Sequence, residues 1–380
     1  MKWVRRIAAA LAILVVVLLG TVYVLFGGGR DYPDLSGAPR LPEGTIEAVV
    51  TSPRPMGNVA VSAKGRIFYT IHPESNQDYP KLYEWKDGKP VAWPEGVDQH
   101  TLFASPLGVR IDSNNRLWII DPANHGTRQP RLIAFDVETG KEVQRFDFPG
   151  DVAPLGSFLQ DMSISPDGRW VYIADVGFWA KRPAIVVYDN EQRRARRVLS
   201  RDASVYPQNI LIRNPIKPMK FFGGLLEMKT GVDGIAASRD GKWVYYAAMN
   251  HDTLYRVPAA VLQDFASDDA AIKAKVEAVG RKPLNDGITT DDAGNVFLTD
   301  IEHSAILEMS PDGKLSTVVK DKRIRWADGL SWGPDGWLYL ADSAIPHIIL
   351  QDAAHHAANA PYYVWRFKPG TMGTSAVAGQ

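Results

Sequence analysis

The chain has 380 residues, 45% of them apolar and 23% charged, with 43 basic and 43 acidic side chains and no cysteine. Zero net charge removes the electrostatic case for nucleic acid, whose phosphates require a basic footprint, and gives none for a polyanionic substrate. Without cysteines an exported domain cannot be a disulfide scaffold and must hold through its core alone.

The first predicted element is a helix. Residues 7–26 are twenty apolar or small residues without a charge, enough to cross a hydrocarbon layer of ~30 Å. Lys2, Arg5 and Arg6 precede them, so the positive-inside rule keeps the N-terminus in the cytoplasm and sends the rest to the periplasm or cell surface. The stretch ends without a small-x-small cleavage pattern, which favours an uncleaved signal anchor over a secreted, cleaved form. The chain then divides into the anchor segment 1–29, a flexible linker 30–42, a β-rich domain 43–370 and a flexible tail 371–380.

From residue 58 onward one pattern recurs six times, beginning at Asn58, Gly108, Asp161, Gly234, Gly287 and Gly329. Each copy has alternating apolar residues, a turn, then a strand rich in aromatic and β-branched side chains, as in residues 161–175 (DMSISPDGRWVYIAD). The starts are separated by 50, 53, 73, 53 and 42 residues, and a Gly or Asn stands seven positions after every start. Period-2 alternation around such turn residues predicts six hairpins. A third strand follows each, at 82–85, 132–135, 185–188, 254–257, 306–309 and 363–367. Five blades have sequence for a fourth strand, such as 142–148 and 314–319; the sixth has none. The spare strand lies at 45–50. Pairing it with the last blade closes a ring with only short, protected edges. The fold class is therefore all-β, a six-bladed β-propeller behind an N-terminal transmembrane or signal helix.

Three stretches depart from this pattern. Residues 201–232, with Pro207, Pro215, Pro218 and a 221–224 turn, read as an excursion over one face. Residues 258–276 read as one or two short helices with Ser267 as N-cap. The basic run 193–197 reads as a solvated hairpin, and His355-His356 as part of a surface insertion.

The blade topology gathers polar residues on one rim. The inner strands start at Gly57-Asn58, Leu107-Gly108, Gln160-Asp161, Asp233-Gly234, Asp286-Gly287 and Asp328-Gly329. The second-to-third-strand loops return to the same face and carry five of the eight histidines, including His303, while Phe178 sits in another of them. Asp233, Asp286 and Asp328 are thus aimed at the axis, with Gln160 and Asp161 beside them. Such a group can floor a pocket or hold a hard divalent cation such as Ca²⁺. Asp-Gly is also ordinary turn and capping chemistry, so both readings stay open. The elbow, helix and glycine-loop motifs of common enzymes are missing from the sequence, and it carries no strong oligomerisation signal.

Residues 106–121 (PLGVRIDSNNRLWIID), 131–141 (RLIAFDVETGK), 172–175 (YIAD), 185–189 (IVVYD) and 254–262 (LYRVPAAVL) resemble the major royal jelly protein and Yellow family. That resemblance implies a six-bladed propeller, export, and in some members binding of small aromatic amines at the channel mouth. A more distant resemblance is to the senescence-marker and gluconolactonase propellers, which hydrolyse lactones with a divalent metal. It implies metal ligands at Asp233, Asp286 and Asp328. Those enzymes have a Glu in the first blade where this chain has Met56-Gly57-Asn58, a departure from their ligand set. The leading expectation is an anchored propeller whose small organic ligand contacts Asp233, Asp286, Asp328, Gln160, Asp161, Phe178 and His303. A metal-dependent lactone or ester hydrolase is the alternative, and a non-catalytic interaction platform the third.

Overall fold

The computed structural model describes residues 2–76 and 78–373. Six four-stranded antiparallel sheets follow one another around a central channel. The blades are ordered as the repeats require. Blade 1, for instance, runs Met56–Val61, Ile67–Ile71, Leu82–Lys86 and Lys89–Ala92. Blade 6 has three strands of its own, Ala327–Trp332, Leu338–Asp342 and Tyr362–Phe367, and takes Glu47–Ser52 as its outer strand. That strand pairs Glu47 with Arg366 and Ser52 with Tyr362, so the ring closes between the two ends of the domain.

The turn chemistry explains the hairpins. The residue seven places after each repeat start has positive φ in all six copies: Gly65 +80°, Asn115 +56°, Gly168 +72°, Gly241 +70°, Gly294 +85° and Gly336 +71°. Glycine enters that region freely, and asparagine is among the few side chains that tolerate it. The alternation then sends each blade's apolar residues to its two faces. One buried cluster lies between every adjacent pair of blades, for example Phe68, Leu82, Val109 and Leu117 between blades 1 and 2. Burying such faces stabilises by about 25 cal/mol per Å² of apolar surface.

The N-terminal helix Lys2–Phe26 is long and apolar, and none of its residues is buried. The stretch after it is not the loose tether expected. The Arg30 N–H donates to the Asn209 carbonyl at 3.0 Å, the Leu211 N–H donates to Arg30, and the N–H groups of Arg40 and Leu41 donate to Thr317 and Val318. Leu41 also packs on the cluster between blades 5 and 6. Backbone pairing to the 201–232 excursion at one end and to blade 5 at the other fixes the linker to the propeller. Of the expected flexible tail, residues 374–380 lie outside the described residues, while the Met372 carbonyl accepts the Asp292 N–H at 2.8 Å.

The departures land as two short helices and a cover. Ala259–Gln263 and Asp269–Lys273 are helical, and the second is capped by Asp268, whose carboxylate accepts the Ala271 N–H, rather than by Ser267. A carboxylate also suits the positive end of the helix better than a hydroxyl. The basic run forms the outer strand Arg194–Val198, with Arg196 donating to the Val261, Leu262 and Ser267 carbonyls. His356 is buried in the helix Ala353–Ala358, not exposed. The excursion 201–232 crosses the channel mouth. Its Ile210, Ile212 and Met219 join Met249, Leu284, Trp326 and Ile345 in a seventh apolar cluster.

Candidate functional site

Neighbouring inner strands approach one another closely at the mouth. A Cβ on Gly287 would lie 2.2 Å from the Asp328 carbonyl oxygen, and one on Gly234 2.6 Å from that of Asp286. Interblade contact therefore demands the glycine of these Asp-Gly pairs. It does not demand the aspartate.

The arrangement buries Asp161, Asp233, Asp286 and Asp328 almost completely. Asp161 accepts from the Asn58 amide at 2.7 Å on one oxygen, and Asp286 from the Trp326 indole N–H at 2.6 Å on one oxygen. The other oxygen of each is buried without a partner, as are both oxygens of Asp233 and of Asp328. Buried polar atoms are nearly always hydrogen-bonded, so six such oxygens around one channel are exceptional. Capping does not account for Asp233 or Asp328.

The electrostatics follow from this. Burial pushes Asp286 up to about 7, and the Asp161 charge adds to it. Burial first, and then the charges of Asp286 and Asp161, raise Asp233 and Asp328 well above the usual carboxylate range. Asp161 is raised by burial, against the pull of Arg110. Arg110 is a cation set close to Asp161 and Asp328. Its guanidinium donates to the Met162 and Leu330 carbonyls at 3.0 and 2.6 Å rather than to a carboxylate. His72 Nε2 stands 4.0 Å from Asp328, and burial holds that imidazole down at about 4, hence neutral at pH 7.

Above the acids is a cavity of about 280 Å³. Asp233, Asp286 and Gln160 line its polar end, and Phe158, Phe178, Trp179, Phe221, Met228 and Met249 are among its apolar walls. The excursion supplies Phe221 and Met228, so the segment breaking the repeat builds part of the wall. On the rim, His125 Nε2 meets Glu74 at 2.7 Å and its ring stacks on Phe158 at 4.1 Å between centroids. A larger cavity of about 510 Å³ occupies the opposite end of the channel. Several of its hydroxyls are already engaged: Ser163 and Ser331 accept the Ala237 and Val61 N–H groups, and Thr290 donates to the Ala237 carbonyl. The mouth is the better site because its polar groups remain free to act.

The sequence-predicted residues thus divide. Asp161, Asp233, Asp286 and Asp328 come together, and Gln160 and Phe178 line the cavity with two of them. His303 does not join them. It lies 3.0 Å from Asp300 and 3.5 Å from Asp34, a residue of the pinned linker. Among the described residues, Asp34, Asp300 and His303 are also the one acid and histidine group that brings three ligand atoms within 4.8 Å of one another. The channel acids, with the hard oxygens a divalent cation prefers, are spaced more widely. Sequence reasoning put His72, Glu74 and His125 on this rim without naming them as site residues, and missed Arg110. The first three stand in loops that the topology places on this rim, whereas nothing local marks Arg110 as turning into the channel.

Over residues 104–367 the chain matches the family described as major royal jelly protein. Apis mellifera major royal jelly proteins 3 and 6 are 26% and 25% identical to it over 164 and 168 residues. Each match covers 40% of this chain but only 28% and 35% of those relatives' own length. Among solved structures, a luciferin-regenerating enzyme aligns with a TM-score of 0.57 at 13% identity, over 87% of this chain and 98% of its own. Regucalcin from Agrobacterium tumefaciens, described as a calcium-binding protein, aligns at 0.54 and 16%, over 86% and 96%. A gluconolactonase from Xanthomonas campestris aligns at 0.54 and 13%, over 90% and 97%. At such identities the likeness is one of fold.

Proposed function

The chain belongs to the major royal jelly protein family, and from that premise we propose that it is a membrane-anchored, externally facing propeller that binds a small organic cation in its channel mouth. One observation carries the reading: partnerless buried carboxylate oxygens at Asp233 and Asp286 lie beneath an aromatic wall. A ligand with a flat apolar body and a protonated amine suits both halves. Its ammonium group supplies the hydrogen bonds and charge the acids lack, and the rings add cation–π attraction. The anchor is the apolar stretch 7–26 of the helix Lys2–Phe26, with Lys2, Arg5 and Arg6 at its start on the cytoplasmic side.

The test is the melting temperature of the full chain in detergent with phenethylamine and with ethylbenzene. Binding at a hundred times Kd adds about 2.7 kcal/mol to stability, so the amine raises the transition by several degrees while its uncharged analogue does little. Asp233→Asn removes the shift. Equal responses to amine and hydrocarbon, or none to either, would sink the proposal.

The same acids support a second reading, lactone or ester hydrolysis with a divalent metal. Asp233, Asp286 and Asp328 would hold the ion, and a bound metal supplies polarisation of the ester carbonyl and activation of water. The free oxygens fit a hard cation in kind, while their spacing fits less well than their chemistry. Stoichiometric Ca²⁺ in the purified chain, lost together with gluconolactone turnover in Asp286→Ala, would favour it over amine binding. The third reading, a non-catalytic interaction platform on the same face, predicts that neither amine nor metal binds.

A further inference from the structure

The end of the N-terminal helix does not hang away from the propeller. The Phe26 ring lies 5.7 Å from Phe178 and 6.3 Å from Trp179, both of which line the mouth cavity, and the Lys181 ammonium sits 3.9 Å from the Phe26 ring. The chain is then fixed at once. The Gly29 N–H donates to Glu227 Oε2 at 2.7 Å, and Lys229 donates to the Gly27 carbonyl. Gly27 and Gly28 alone separate the helix from that fixed point, and two residues span at most about 7 Å. A membrane that holds the helix has no slack with which to stand off from this face.

The face is also built for such a neighbour. Phe222, Leu350 and Trp179 line the cavity and are 72%, 64% and 57% exposed. Leu155, 75% exposed, precedes Gly156, where an added Cβ would lie 2.7 Å from the Ala180 Cβ of the Trp179 loop. Aromatic and long aliphatic side chains projecting from loops beside basic residues are what a membrane interface accepts, with rings at headgroup depth and ammonium groups among phosphates. Lys217 and Lys220 precede the Phe221–Phe222 tip in sequence and provide the second part.

We propose that the channel mouth docks on the surface of the lipid bilayer, with Phe222, Leu350 and Trp179 in the headgroup layer, so that the cavity opens at the membrane rather than into bulk water. This rests on reading Lys2–Phe26 as a spanning anchor. The fold contributes the rest, since the anchor leaves the propeller at the rim of the pocket and next to the exposed apolar tips.

The absence of cysteine makes the test direct. Single cysteines are introduced as Phe222→Cys, Leu350→Cys, Asp240→Cys and Val16→Cys, each in the full chain, and each carries a nitroxide label. All four positions are exposed, and each rim variant leaves the other rim side chain in place. The chains are reconstituted into phosphatidylcholine vesicles, and the label's accessibility to oxygen and to a water-soluble nickel chelate is measured. Asp240 lies in a turn at the far end of the channel and reports water; Val16 reports the bilayer interior. The expected result is an oxygen-to-nickel ratio at residues 222 and 350 several-fold above that at 240. Rim labels that match residue 240 while residue 16 is immersed overturn the docking and leave the anchor standing. A water-exposed label at residue 16 overturns both.

Discussion

Blade 6 buries two aspartates and treats them in opposite ways. Asp342, at the end of the second strand, accepts the Trp326 N–H at 2.8 Å and the Arg325 guanidinium at 3.1 Å. Asp328, at the start of the inner strand beside it, has no well-formed hydrogen bond on either oxygen, and the nearby Ser343 hydroxyl offsets its burial only slightly. The contrast recurs in blade 3, where Asp175 takes the Phe158 and Gly177 N–H groups and pairs with Arg197, while one oxygen of Asp161 stays unpaired. In blade 5, Asp300 holds the Glu302 and His303 N–H groups, while one oxygen of Asp286 is without a partner. The second-strand acids tie loops to blades. Of the inner-strand acids, Asp161 and Asp286 each hold one donor, from Asn58 and Trp326, and their other oxygens and both of Asp233 tie nothing down; burying acids so costs several kcal/mol each if ionised. Acids that weaken the fold where they stand point to what the channel mouth binds.

The sharpest way to break this distinction is to remove one member of each set. Asp342→Ala leaves Arg325 and the Trp326 N–H without their carboxylate, and urea unfolding should show a loss on the order of 3–5 kcal/mol. Asp328→Asn, under the same conditions at pH 8 with a chelator, should be as stable as the parent or more so. A loss matching that of Asp342→Ala would erase the difference between the sets.

A smaller effect comes from pH. Asp286 is held at about 7, and Asp233 and Asp328 well above their usual range. A raised acid contributes stability that is complete below its unfolded pKa and is lost as pH climbs through the folded one. The melting temperature with chelator should therefore fall between pH 5 and 8, and phenethylamine or Ca²⁺ should flatten that slope. A flat profile without either would mean that the acids ionise without penalty. The smallest effect concerns His303, which its Asp300 hydrogen bond raises above the usual imidazole range. That pairing is fully present below the ordinary histidine pKa and is lost as pH rises through the raised value. His303→Asn should thus cost no more than about 1 kcal/mol at pH 6 and nothing at pH 9, by thermal melting.

Much of the fold was legible because the repeat is local. Asn115 standing where the other five copies have glycine, and the spare strand before Met56, sufficed to number and close the blades. The inner-strand acids were legible as positions, because the topology dictates which strand ends face the channel. Which of their oxygens find a partner was not legible, since Asn58 and Trp326 come from other blades and Arg110 could as well have turned to a carboxylate. The pinned linker and the apolar cover from the excursion were hidden for the same reason. Where residues such as Arg30, Ile210 and Phe221 land is decided by long-range packing, which no period in the sequence records.

The most direct test of the central claim is calorimetric titration of the full chain in detergent with phenethylamine at pH 6.5, repeated in buffers of different ionisation enthalpy. Acids that are protonated when the site is empty must release protons when a cation binds. The account predicts binding with net proton release, and loss of both in the Asp233→Asn, Asp286→Asn double variant. Binding without proton release, unchanged in the double variant, would place the ligand elsewhere and contradict it.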